Sequence, residues 1–125
     1  MKLLFLLSII FVFLLIPIQN SFSELDISTN SRVYSPDHTL QVYGTGLPEE
    51  NLILRLFSPD ESITKFEQIQ TNPDGTFNHQ LLTWPNPSTT VPYGTYVVEV
   101  LSTEQNGLSK KIDIKFSSTT ELISV

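Results

Sequence analysis

From residue 24 onward, apolar and polar side chains alternate with a period of two. "LILRLF" at 52–57, "TFNHQLL" at 76–82, "TYVVEVL" at 95–101 and "KIDIKF" at 111–116 each place every second side chain on one face, the signature of a half-buried strand. In this part of the chain no stretch of helical length carries a 3.6-residue apolar stripe. The pattern predicts seven strands, at 24–30 with a short continuation at 32–35, then 39–45, 52–58, 63–70, 76–82, 94–102 and 108–116. Between them lie residues with a mechanical reason to turn: Pro59, Pro73 with Gly75, and the pair Asn106-Gly107, a hairpin signal. Gly44 and Gly46, between the 39–45 and 52–58 strands, read as positions that need positive φ.

Seven short strands with one apolar set each bury those sets most economically as two sheets packed face to face. The inward set is then Leu40, Val42, Leu52, Leu54, Leu56, Phe77, Leu81, Tyr96, Val98, Val100, Ile112, Ile114 and Phe116. The first residues differ in kind. Lys2 precedes an apolar run from Leu3 to Ile16, interrupted only by Ser8 and closed by Pro17. As a helix that run spans roughly 21 Å, short of the roughly 30 Å hydrocarbon core of a bilayer. It reads as a secretory signal helix, with small residues at Ser21 and Ser23 before a cut. The expected organisation is a signal peptide at 1–23, a sandwich domain at 24–117 and a tail at 118–125. A membrane is a partner only if the N-terminal segment stays as an anchor.

Charge and cysteine content narrow the function classes. Without Lys2, six cations stand against 13 carboxylates, and a net charge near −7 repels phosphate backbones, so nucleic acid is not an expected partner. No cysteine is present, which removes disulfides and thiol chemistry in an exported chain and leaves stability to packing.

Tyr96 then gains a meaning. In immunoglobulin-like sandwiches a tyrosine stands two residues before an inward position, often a cysteine, near the start of the sixth strand, and its hydroxyl bonds back to nearby backbone. Gly94-Thr95-Tyr96-Val97-Val98 fits, with Val98 in the cysteine place facing Val42. From "VYSPDHTLQVYGTGLP" through "NPDGTFNHQLL" and "YGTYVVEV" to "KKIDIKF", the chain resembles immunoglobulin-like domains, particularly macroglobulin-like ones, of secreted and cell-surface prokaryotic proteins. The resemblance implies an all-β, seven-stranded antiparallel immunoglobulin-like sandwich behind the signal helix, acting as a spacer, adhesive module or assembly part. It implies no catalytic residues. Two features depart from the pattern: the cysteine pair is missing, and no tryptophan lies in the third strand.

Candidate chemistry is sparse. His38 and His79 are the only imidazoles; His38 follows Pro36-Asp37 in a turn, and His79, at period two between Phe77 and Leu81, reads as a structural histidine facing inward or sitting at a sheet border. Asp74 with Asn72 and Gly75 has part of a calcium-loop vocabulary without its glutamate, and reads as a turn. Glu49 and Glu50 are neighbours in one loop with no partner carboxylate across from them, and no serine has a nucleophile-elbow pattern. No catalytic residue, metal site or cofactor is expected.

Two surface candidates remain. Trp84 and Tyr93 flank the proline-rich loop "TWPNPSTTVPY"; Trp84 either seals one end of the sandwich or, with Tyr93, forms a platform for a sugar or peptide. Ile53, Arg55 and Phe57, then Val97 and Glu99, then Lys111, Asp113 and Lys115 share one outer face, where an apolar patch ringed by charge suits a protein partner. The expected function is a secreted, non-catalytic module for contact with envelope or extracellular protein, through that face or by strand pairing at an open edge. The alternative is a small extracellular sandwich that binds polysaccharide or another ligand through Trp84 and Tyr93.

Overall fold

The computed structural model describes residues 25–118. The expected signal segment at 1–23, and the tail apart from Ser118, lie outside the described residues. Eight strands follow one another: β1 (Asp26–Thr29), β2 (Val33–Tyr34), β3 (Thr39–Thr45), β4 (Asn51–Phe57), β5 (Ile63–Gln70), β6 (Thr76–Thr83), β7 (Gly94–Ser102) and β8 (Ser109–Phe116). They form two sheets. One has three strands in the order β1-β3-β6, the other five in the order β2-β8-β7-β4-β5.

The expected seven-stranded antiparallel arrangement is corrected by the first segment. Instead of continuing beside β3, the chain leaves the three-stranded sheet after Thr29 and crosses to the other, where Val33 and Tyr34 run parallel to Lys115 and Phe116. A strand that changes sheets without turning keeps its direction, so here it runs alongside β8. The crossing is held by short-range polar bonds: Thr29 Oγ1 donates to the Ser31 carbonyl (2.7 Å), and Ser31 Oγ to the Val33 carbonyl (2.8 Å). Lys115 N–H to the Arg32 carbonyl and Ser117 N–H to the Tyr34 carbonyl, both 2.8 Å, then extend the new ladder. Every other pair of adjacent strands is antiparallel.

The core lies between the sheets. Of the inward set only Ile112 is partly exposed, packed against the core rather than within it. Leu25, Ile27, Tyr34 and Trp84 join the core from the first strands and the loop after β6. Tyr96 donates its hydroxyl to the Pro92 carbonyl (2.7 Å), the tie that fastens the entry of β7 to the loop before it. Val42 and Val98 are both fully buried, one from each sheet.

Gly44 and Gly46 do not have positive φ; the left-handed residue of that loop is Glu49 (φ 54°). These glycines serve close approach. A Cβ on Gly44 would overlap the Asp26 carbonyl oxygen of β1, and one on Gly46 would sit 2.7 Å from Glu50 Oε1. Positive φ is used where Asn106 and Gly107 close the β7–β8 connection, at 57° and 74°, as a hairpin turn demands.

Candidate functional site

Cross-strand register arranges the outer face of the five-stranded sheet in rows. One row runs Ile63, Phe57, Val97, Asp113; the next Phe66, Arg55, Glu99, Lys111; the third Gln68, Ile53, Leu101, Ser109. The five expected partner-surface residues, Ile53, Arg55, Phe57, Val97 and Glu99, are therefore brought together on one face of two adjacent strands.

The middle row is an ion-pair network. Arg55 Nε donates to Glu99 Oε1 at 2.6 Å, and Lys111 Nζ lies 3.8 Å from Glu99 Oε2. Glu99 is only 5% exposed although it points away from the core, because the two long cationic side chains lie over it. The Arg55 guanidinium also sits 5.2 Å from the centre of the Phe57 ring, within cation–π range. Beside Phe57 a shallow groove of about 550 Å³ opens, lined by Phe57, Pro59, Val97, Lys111 and Asp113 among others. An apolar floor with charges of both signs along its sides can hold an apolar side chain and orient polar groups next to it.

Phe66 and Ile63, 57% and 52% exposed, extend this apolar surface on β5. Sequence reasoning missed them. "ITKFEQIQ" alternates isoleucines with charges on one face and Thr, Phe and Gln on the other, so its periodicity names no buried side; only the pairing of β5 with β4 places Phe66 beside Arg55.

The Trp84–Tyr93 platform requires correction. Trp84 is fully buried, stacked 4.5 Å from Phe116, edge-on to Tyr96 at 4.9 Å and tilted against Tyr34 at 5.8 Å. No ring face of Trp84 is left for a ligand. Tyr93, 44% exposed, rests on Phe116 at 4.9 Å. The two residues belong to one aromatic column, with Trp84 inside it and Tyr93 at its surface.

The remaining candidates are structural ties. His38 Nδ1 accepts the Ser35 N–H (3.0 Å) and closes its turn. His79 Nε2 bonds Glu67 Oε2, joining β6 to β5 at the border where the two sheets end. Asp74 accepts from Thr76 Oγ1 (2.7 Å) and Thr76 N–H (3.0 Å), and these bonds hold its carboxyl below the usual value. Glu50, which the sequence leaves in an open loop, is 1% exposed. It accepts from Leu47 N–H (3.0 Å), Gln105 Nε2 (3.2 Å) and Ser102 Oγ, so one buried carboxylate ties the β3–β4 loop to the β7–β8 turn. Among the described residues no group of three or more His, Cys, Asp or Glu side chains converges as a metal centre requires.

The fold thus defines the class: an all-β sandwich, three strands against five, with a mixed-charge apolar outer face. No family model matches the chain. Among curated proteins it is similar to S-layer protein B of Metallosphaera sedula, 27% identical over 98 residues, a match covering 78% of this chain and 23% of that protein. The chain therefore spans about a quarter of the length of the curated relative it matches. Among solved structures, a carbohydrate acetylesterase from Xanthomonas citri superimposes at a TM-score of 0.47 and 15% identity, over 68% of this chain and 16% of that one. The sporulation control protein of Bacillus subtilis does so at 0.40 and 17%, over 74% and 48%. Neither superposition bears on function.

Proposed function

We propose that this protein is a non-catalytic structural module of the cell envelope, an immunoglobulin-like sandwich of the macroglobulin-like type that is exported and works by protein contact. The observation that carries the reading is the similarity to S-layer protein B across most of the sandwich. The outer face supports it: Phe57 and Val97 floor a groove beside the Arg55–Glu99–Lys111 network, a surface with the apolar centre and polar rim that partner sites carry. The partner is another envelope or extracellular protein. The polysaccharide alternative loses its principal stacking face with the burial of Trp84.

The test is fractionation of cells that produce the protein, followed by extraction of the surface layer. Wild type is expected with the envelope and its assembled proteins. The double variant Phe57→Asp/Val97→Asp, folded by circular dichroism, is expected in the soluble fraction, because two carboxylates in the apolar floor oppose docking. Wild type in the cytoplasm, or a double variant retained like wild type, overturns the proposal.

A further inference from the structure

β5 is the outer strand of the five-stranded sheet, and its far side offers unpaired backbone groups of the kind that recruit another strand. The phase of those groups can be derived. Thr71 donates its N–H to the Glu50 carbonyl (2.8 Å) at the head of the β4–β5 ladder, and bonded pairs alternate along an antiparallel ladder. With Leu52 opposite Ile69 and Leu54 opposite Glu67, Ile69 and Glu67 turn their bonding groups to β4. Gln70, Gln68 and Phe66 turn theirs outward. Where β5 begins, Ile63 and Thr64 border a cleft shared with Thr89, Thr90 and Val91.

From this edge we infer that a second copy of the chain pairs antiparallel with β5 about a two-fold axis at Phe66. In that register Phe66 faces Phe66 of the second copy through outward-turned backbone groups. Lys65 then stands opposite Glu67 of the second copy, and Glu67 opposite its Lys65. Lys65 and Glu67 point to the same face of β5 and both side chains are part-exposed, with Lys65 Nζ 3.6 Å from its own Glu67 Oε1 while Glu67 Oε2 bonds His79, so a neighbour across the edge meets Lys65 directly and shares the Glu67 carboxylate with His79. Charge selects this register over its two neighbours. The adjacent two-fold registers that keep the backbone phase put Lys65 against Lys65 or Glu67 against Glu67, and like charges directly opposite are destabilising. Shifts by one residue that break the phase pair outward groups with inward ones and form no ladder. The two five-stranded sheets would become one continuous sheet, with the Arg55–Phe57 face of both copies on the same side.

The inference deepens the envelope reading by naming a partner and an edge. Because the chain has no cysteine, a single introduced thiol reports the register. Cα atoms of a bonded antiparallel pair stand about 5.5 Å apart, within disulfide reach. Under mild oxidation the full chain carrying Phe66→Cys, in detergent where its N-terminal segment is retained, is expected to form a disulfide dimer, whereas Gln68→Cys stays single. Dimerisation of the Gln68→Cys variant at an equal rate, or of neither, overturns the inference. Phe66→Cys also removes a ring from the edge, so sedimentation of cysteine-free protein at up to about 1 mM provides a second readout. Lys65→Glu is expected to weaken self-association about tenfold, and Lys65→Glu/Glu67→Lys to restore it. A monomeric wild type, or a double variant as weak as the single one, overturns it too. The two proposals fail separately: a monomer that fractionates with the envelope ends self-pairing alone, and a disulfide-linked Phe66→Cys dimer absent from the envelope ends the envelope reading alone.

Discussion

Trp84 illustrates how one side chain can be settled by its neighbours. Its ring is enclosed by Tyr34, Tyr96 and Phe116, three aromatics drawn from β2, β7 and β8, so it closes the end of the core where those strands meet. Trp84→Ala would empty that column and is expected to cost about 4 kcal/mol in urea denaturation, with wild-type tryptophan fluorescence only weakly quenched by acrylamide. A loss under about 1 kcal/mol, or strong quenching, would contradict its place in the core. Glu99 makes the complementary point on the other side of the sheet, where a carboxylate is hidden by cations rather than by apolar neighbours.

At the scale of elements, connections matter as much as strands. Glu50 reaches from the β3–β4 loop to Ser102 and Gln105 at the β7–β8 turn, while its own N–H donates to Thr71 Oγ1 (2.7 Å) just after β5. Three connections at one end of the sandwich therefore depend on one buried residue. Glu50→Ala strands the hydrogen-bond donors that faced it and is expected to cost about 3 kcal/mol, read as a lower urea midpoint. Glu49→Ala, at an exposed neighbour, would serve as the control for urea effects unrelated to the buried network. The alternation of β3, β4 and β6 to β8 was legible in sequence because each strand buries one face against the opposite sheet. β5 was not, because as an edge strand it leaves Phe66, Gln68 and Gln70 exposed on one face and only partly buries Lys65, Glu67 and Ile69 on the other, so its polar and apolar residues do not divide by face.

For the whole molecule, titration of tied groups sets a pH window of stability. Bonds from the Ser58 and Ser62 hydroxyls and the Ser62 N–H lower Asp60 from 3.8 to about 2, and Asp74 is lowered by Thr76. Carboxyls depressed in the folded state stabilise it above their unfolded value, and that contribution is lost as pH falls from about 4 towards 2. Tyr34 and Tyr96 are displaced upward, both chiefly by burial, and Tyr96 also by the charge of Asp60. Phenols raised in this way leave stability intact below their ordinary value of 10.0 and erode it as pH rises beyond. Urea midpoints followed across pH should fall on the acid side through this window and again above about pH 10, and Asp60→Asn should flatten the acid limb. An unchanged acid limb in that variant would place the sensitivity elsewhere.

The sequence by itself determined the strand positions, most of the inward set and the outer-face residues of β4 and β7, because period-two alternation and turn chemistry are local properties that neighbours along the chain impose; the tyrosine tie was legible through the resemblance to immunoglobulin-like sandwiches. Tertiary structure alone decided that the first segment divides between two sheets, that Trp84 is enclosed, that Glu50 is buried, and that Phe66 stands beside Arg55 on an open edge. Each of these depends on which distant strand lies alongside, and that is set by the packing of whole sheets.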